Sequence, residues 1–422
     1  MKKLSVIVVS YNVQYFLELA LQSVQKALAG IPSEIFVVDN NSTDNSVDMV
    51  ASRFPEVVLI ANKKNVGFST ANNQAIRRAT GQYVLLLNPD TVVQEDTFLK
   101  CLRFMDANPE AGGLGVKMID GTGTFLPESK RGLPTPLVAF SKIAGISRLF
   151  PKSRVFGRYH LGFLSAEEVH EVEVLSGAFM LMRHETLDKV GLLDESFFMY
   201  GEDVDLSYRI ILGGYKNYYF PDTTIIHYKG ESTHKGSLNY VLVFYRAMAI
   251  FYKKHFSGSN AVLFSKLILI AIYARAGFSV LTMSLKKLFG LKSHKRDRHK
   301  LPGKRKVLVA GEEQEFSRAT SILQLAGLTK VQIKRASPSS LQHNCVRSTV
   351  EQHQADEIIF CGKDMPFADI MHAMESLKGT GVACSILPAA SEFVIGSYSK
   401  IDRGYYYAPS TSPVKNVLTA VF

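Results

Sequence analysis

Three carboxylates fall within four positions at Glu202-Asp203-Val204-Asp205, directly after the apolar run Phe197-Phe198-Met199-Tyr200. The residues that follow, 206–215, read as a helix stopped by Gly213-Gly214. Aromatic neighbours strip water from such a carboxylate, and desolvation raises its pKa toward the range useful to a general base. The same residues also have a plain structural use, with Asp203 as the helix cap and Asp205 as a first-turn charge that suits the helix dipole. What the rest of the chain brings to this stretch decides between the two.

The preceding segment alternates strands and helices. Residues 4–9, 35–38, 57–60 and 83–87 read as buried strands, with helices at about 14–29, 45–53 and 69–79 between and after them. Ser42, Thr43 or Asp44 can cap the second helix. This spacing predicts an α/β fold, a mostly parallel sheet with helices on both faces. Ligands bind such sheets at the carboxyl ends of the strands. Those ends carry Ser10-Tyr11-Asn12, Asp39-Asn40-Asn41, Asn62-Lys63-Lys64-Asn65 and Asn88-Pro89-Asp90. Turn chemistry also favours Asn and Asp, but four polar clusters at four successive strand ends describe a binding edge. A dinucleotide glycine fingerprint and a Walker A loop are both missing. Asp39 can accept from a base N–H or a ribose hydroxyl. Asp90 suits a divalent ion, Mg²⁺ or Mn²⁺, bridging a diphosphate. A nucleotide-diphosphate ligand is expected.

The segments 5–12, 37–44, 65–73 and 86–90, with Gly177-Ala178-Phe179-Met180-Leu181, the Glu202-Asp203 stretch and His227, resemble the family 2 glycosyltransferases over about residues 1–255. The resemblance is nearest to a rhamnosyltransferase-like bacterial branch. It implies a GT-A fold and inverting transfer from a nucleotide-diphospho-sugar. By the same resemblance Asp39 holds the nucleobase, Ser10, Tyr11, Asn12 and Asn41 line the nucleoside pocket, and Asn65, Gly67 and Asn72 border the ribose and diphosphate. Asp90 matches the last acid of the family's Asp-x-Asp metal motif, with Asn88 where the first Asp would stand, so one negative ligand is lost. His227 resembles the distal metal ligand, and Gly177 and Ala178 lie on the acceptor side. Asp203 is the expected base, with Glu202 as second choice or as a partner for an acceptor hydroxyl.

Residues 112–119 and 172–182 read as strands, with a long Pro-containing insertion at 120–165 that is either an acceptor lid or a surface excursion. Arg131 and Arg158 can meet a diphosphate. Lys229 and Lys235 can neutralise a leaving group, His234 is a lesser metal candidate, and 229–237 can close over the donor. A helix is expected at 240–255.

The net charge of +11 resembles a nucleic-acid signal until it is located. Ten Lys and Arg against the single Asp297 between Lys286 and Lys306 hold most of it, so no nucleic-acid surface is expected on the domains. That basic stretch follows an apolar run at 261–281 interrupted by Lys266 and Arg275. Together they predict an interfacial anchor on an anionic cytoplasmic leaflet rather than a full span; the plain alternative is a buried helix and a solvated linker. Residues 305–400 restart the α/β alternation as a small Rossmann-like domain without a phosphate-binding glycine loop. The expected division is 1–257, 258–304 and 305–422. Four cysteines without CxxC spacing fit a reducing compartment.

These features predict a metal-assisted inverting glycosyltransferase, cytoplasmic and peripheral to the membrane. Its partners would be a dTDP- or UDP-sugar and a glycan or polyprenyl-linked acceptor in cell-surface polysaccharide or glycolipid assembly. A pyrophosphorylase would need a Gly-rich basic loop after the first strand, and a processive synthase a Gln-x-x-Arg-Trp motif that a chain without tryptophan cannot carry. A non-catalytic nucleotide-sugar scaffold would keep its role in Asp203→Asn.

Overall fold

The computed structural model describes residues 2–143, 145–228, 238–256, 305–328, 331–341, 345–397 and 404–409. The first part of the chain runs β1 (Leu4–Ser10), α1 (Gln14–Ala27), β2 (Ser33–Asp39), α2 (Ser46–Arg53), β3 (Val58–Ala61), α3 (Phe68–Ile76), β4 (Tyr83–Leu87), β5 (Thr91–Val93) and α4 (Thr97–Ala107). It continues through β6 (Ala111–Ile119), α5 (Pro136–Ile143), α6 (Ile146–Leu149), β7 (His170–Val172), β8 (Phe179–Arg183), α7 (His184–Val190), α8 (Glu202–Leu212), β9 (Lys216–His227) and α9 (Leu238–His255). All seven residues of β1 are buried, which is why its β-branched run shows no polar alternation.

The sheet order is β3-β2-β1-β4-β8-β6-β9-β5, with β7 also on β9. The first four strands are parallel, as the alternation predicts. The sheet then continues through antiparallel β4–β8 and β6–β8 pairs and a parallel β6–β9 pair. The expected single strand over 172–182 is two strands. Residues 173–178 leave the ladder between β7 and β8, joined only through an isolated bridge from Val174 to Arg131. This break lets Gly177 and Ala178 face the site described below.

A second sheet is built from β10 (Arg305–Ala310), β11 (Val331–Ala336), β12 (Glu357–Cys361), β13 (Ala383–Leu387), β14 (Val394–Ser397) and β15 (Tyr405–Tyr407), with α10 (Glu313–Leu325), α11 (Cys345–His353) and α12 (Phe367–Ser376). Its order is β11-β10-β12-β13-β14-β15, parallel through β13 and antiparallel beyond. The helix expected at 339–354 is shorter, a 3₁₀ turn at Pro338–Leu341 and then α11. The last two strands carry no periodic signal long enough to be read in advance.

The two sheets share a seam. Val13, Phe16 and Leu19 of the first part belong to one apolar cluster with Leu308, Phe360, Met374 and Ile395 of the second. On its other face α1 places Leu17, Leu21 and Val24 in the core of the first sheet, so the helix is buried on two sides. Tyr15 stacks against Phe393 and Tyr406 at ring separations of 4.7 and 4.4 Å. Glu95 accepts from the backbone N–H groups of Phe367 and Ala368 at 2.7 and 3.2 Å, a negative charge at the N-terminus of α12. Side chains of α1 and α2 reach the strand ends opposite: Lys26 donates to Gly362 O, Gln22 to Ala389 O and Arg53 to Ala390 O. Beside them Glu18 is buried against Arg53 and Ser391.

Among the described residues no helix is long and apolar enough to cross a membrane. The expected anchor at 258–304 lies outside the described residues, as do Lys229, His234, Lys235 and the loop 229–237.

Candidate active site

The edge formed by the ends of β1 and β2 is held open by its own side chains. Asn12, with a left-handed φ of 54°, accepts from Thr43 N at 2.7 Å, and its own N–H donates to Ser42 Oγ at 2.9 Å. Asp39 Oδ2 accepts from Ser42 N at 2.8 Å. Two buried acceptors are left over. Asp39 Oδ1 and Ser10 Oγ have no hydrogen-bond partner among the described residues. Leaving such atoms unmet costs stability, and a ligand N–H or O–H would repay it. Tyr11 is half-buried on this edge, and Asn41 is exposed with a φ of 68°.

The loop after β3 is clasped from two sides. Asn65 Oδ1 accepts from Gly67 N at 3.0 Å. Asn40 donates to Gly67 O and accepts from Asn62 and Val66 N. Gly67 is at φ 84°, and a Cβ there would come within 2.7 Å of both the Phe198 ring and its carbonyl oxygen. Phe68 N donates to that carbonyl at 2.8 Å. The glycine is therefore what lets the loop lie on the segment leading into the acids. Asn72 is buried and donates to Phe68 O at 2.9 Å within its own helix.

After β4, Asn88 N donates to Ala178 O at 3.0 Å, which fixes the Gly177-Ala178 break next to Asn88-Pro89-Asp90. Tyr228 N donates to Asp90 O at 3.0 Å. The antiparallel β5–β9 pair brings His227 back over the same corner. His227 Nε2 lies 3.3 Å from Asp90 Oδ1 and 3.4 Å from Asn88 Nδ2, all but buried. Two protein ligands of this kind fit a divalent ion that takes its remaining positions from phosphate oxygens and water. Three or more acidic, His or Cys side chains never converge among the described residues, so an ion here would need the diphosphate.

The acids sit where α8 begins. Tyr200 and Gly201 both have left-handed φ, 68° and 87°. A Cβ on Gly201 would press on Phe197 and Ala247 at 3.1 and 3.2 Å. Gly201, not Asp203, is the N-cap. Asp203 Oδ2 takes the Arg131 guanidinium and, at 3.4 Å, Gly177 N, while Oδ1 accepts from Val204 N at 2.8 Å. Burial works hardest against the charge on Arg131, but Asp203, Tyr159 and Glu202 together outweigh it and raise the Arg131 pKa. Glu202 is different. Its Oε2 is buried without a hydrogen-bond partner among the described residues. Burial, with the Asp203 carboxylate beside it, pushes the Glu202 pKa up from the usual 4.5. Desolvation thus falls on Glu202. Of the two phenylalanines before it, Phe197 is buried, whereas Phe198 is 53% exposed and lies over Gly67.

Asp205 is wholly structural. It is fully buried and bonds Arg209 at 2.8 Å and Lys254 and His255 of α9 at 2.9 and 2.7 Å. Arg131 and Arg158 were expected to meet a diphosphate. Both are engaged by carboxylates of the chain itself, Asp203 and Glu173. The pairing of Arg131 with Asp203 was not read from the sequence, because Arg131 lies in an insertion without periodicity. With Pro134, Tyr159, Tyr200, Glu202 and Asp203 it lines a cavity of about 80 Å³, roomy enough for several waters.

A family model described as Glycosyl transferase family 2 matches residues 5–191. It spans the strand-end edge and stops short of the acids. The N-acetylglucosaminyl-diphospho-decaprenol L-rhamnosyltransferase of Mycobacterium tuberculosis is 29% identical over 266 residues, 60% of this chain and 85% of that protein. Rhamnosyltransferase WbbL of Escherichia coli K12 is 29% identical over 173 residues, 38% of this chain and 61% of its own. Among solved structures, the mannosyltransferase PcManGT of Pyrobaculum calidifontis, in complex with GDP-Man and Mn²⁺, superposes with a TM-score of 0.43 at 17% identity, over 70% of this chain and 82% of that one.

Proposed function

We propose that this chain, which matches a family 2 glycosyltransferase model over residues 5–191, transfers a sugar with inversion from a dTDP- or UDP-sugar to a hydroxyl of a lipid-linked glycan acceptor. Rhamnose is the first sugar to test, since two relatives carry rhamnosyltransferase names and one of these names a diphospho-decaprenol acceptor. The unit 1–257 would carry the reaction and 305–422 would be an appendage docked on it.

The observation that carries this reading is the chain of contacts from Asp90 through Asn88 and Ala178 to Gly177 and Asp203. It sets a diphosphate corner beside an acid held in a fixed orientation. In the reaction the acceptor hydroxyl oxygen bonds to the anomeric carbon as the bond from that carbon to the nucleoside diphosphate breaks. The hydroxyl proton passes to Asp203, which the Arg131 guanidinium holds in place. One base and one displacement invert the centre. Glu202, protonated because its pKa is raised, serves as a hydrogen-bond donor to the acceptor. Asp39 Oδ1 and Ser10 Oγ would take the nucleoside. Asp90 and His227 would hold Mg²⁺ or Mn²⁺, whose charge offsets that of the departing diphosphate.

Thermal stabilisation by UDP, dTDP and GDP, each with and without Mn²⁺, tests the donor site on wild type and Asp90→Ala. A ligand that binds only the folded state raises the midpoint by mass action. The expected result is a metal-dependent rise with dTDP or UDP that is lost in Asp90→Ala. No rise with any nucleotide would overturn the donor site and favour a scaffold role.

A further inference from the structure

Between Glu128 and Glu167 the chain has no acidic residue and seven Lys or Arg. The middle of this stretch is exposed and apolar. On α5, Leu137 and Phe140 are 53% and 45% exposed, one helical turn apart on the same side. Val138, Ala139 and Ser141 are buried on the other. Leu149, at the end of α6, is 75% exposed, and Phe150 and Val155 are 55% and 50% exposed. Arg148, Lys152 and Arg154 are exposed between them.

This surface is built rather than loose. Ser153 N donates to Phe150 O, and Gly157 N to Ser153 O at 2.8 Å. Ser153 Oγ accepts from Val155 N and Phe156 N. The turn at Pro151 is packed so closely that a Cβ on Gly157 or on Gly162 would come within 2.2 Å of the Pro151 carbonyl oxygen. Pro134 just before the stretch and Tyr159 just after it both line the cavity of Glu202 and Asp203. The stretch is therefore flanked in the chain by two residues that line the cavity.

We infer that residues 137–142 and 145–155 form a membrane-docking face, seating Leu149 and Phe150 among the headgroups of an anionic bilayer. Exposed bulky apolar side chains ringed by cations and free of acids match such a surface in both hydrophobicity and charge, and suit no neutral or cationic partner. Long basic side chains can keep their charges at headgroup level while the apolar ones enter. The inference deepens the reading of a lipid-linked acceptor by presenting the cavity mouth to the bilayer. It names a face separate from the 258–304 segment.

The chain has no tryptophan, so full-length Phe150→Trp carries a single indole reporter at the patch. Leu325→Trp, at a 61% exposed site on α10, is the control. Vesicles of phosphatidylcholine alone, and mixed with phosphatidylglycerol, are added with and without brominated acyl chains. The expected result is a blue shift and bromine quenching of Phe150→Trp on the anionic vesicles, with Leu325→Trp unaffected. Adding Arg148→Gln, Lys152→Gln and Arg154→Gln should raise the lipid concentration needed for quenching about a hundredfold. Vesicle binding without quenching at position 150 would overturn the inference and assign the contact to another segment. Absence of vesicle binding would also overturn it. So would a concentration-dependent shift without lipid, which would mean that a second copy covers the patch. The nucleotide-induced rise in melting midpoint, measured on the same variants without lipid, reports the donor site separately and confirms that each variant is folded.

Discussion

Two parallel sheets in this chain end in loops that should, by architecture, bind ligands, and they have been finished differently. At the ends of β1 and β2, Ser10 Oγ and Asp39 Oδ1 are buried and unmet among the described residues. At the ends of β12 and β13, the carbonyls of Gly362, Ala389 and Ala390 are each taken by a side chain of α1 or α2. The crevice after β10 is closed as well. A Cβ on Gly311 would meet Cys361 Sγ at 2.6 Å, and Asp364 accepts from Glu312 N at 2.7 Å. An unmet buried acceptor costs on the order of 1–3 kcal/mol, which a ligand bound at that edge would offset. The same architecture thus offers an open edge in one unit and a docking face in the other, and the finish of the edge rather than the fold tells them apart.

The sharpest way to test that contrast is to alter one acid near each edge. Asp203→Asn should lower kcat about 10²- to 10⁴-fold in a transfer assay, while the melting rise caused by nucleotide persists. Asp364→Asn, in the second unit, should leave kcat within about twofold, because nothing reactive meets that edge. Comparable losses in both would break the contrast.

The seam gives an intermediate effect. Glu18→Ala removes the carboxylate that Arg53, Gln22 and Ser391 share. Arg53 is one-third exposed, so the loss is discounted to about 1–2 kcal/mol in urea unfolding. Hydrogen exchange should quicken in α12 and β13 before it does in β1.

The smallest effect is electrostatic. The folded state holds the Glu202 proton more tightly than the unfolded chain does, so above pH 4.5 the unfolded chain binds fewer protons and stability falls as pH rises. Glu202→Gln cannot ionise and escapes this fall. Its melting midpoint relative to wild type should climb as pH rises from 4.5, by an amount equivalent to about 1 kcal/mol or more at the alkaline end. A flat difference across that range would show that Glu202 titrates normally and is not desolvated.

The first four strands, the polar clusters at their ends and the approach of His227 to Asp90 were legible because hydrophobic period and strand-end chemistry are local in the sequence. Asp203's partner was not, since Arg131 lies 72 residues away in a stretch with no period. Nor was the split between the two phenylalanines legible: Phe197 is buried, while Phe198 is 53% exposed and lies over Gly67. The seam was hidden for a related reason. The pattern of α1 reads as one apolar face, and only tertiary packing shows that Val13, Phe16 and Leu19 have a second surface to meet.

That second surface has a consequence during synthesis. The apolar strip around the start of α1 is translated early, is met first by Val92, Ile119, Ile226 and Tyr228, and gains its cover from Leu308 to Ile395 more than 280 residues later. At ribosomal rates of about 5–20 residues per second, the strip waits partly uncovered for some tens of seconds. Until the second sheet closes on it, the nascent first unit is a natural client for a chaperone.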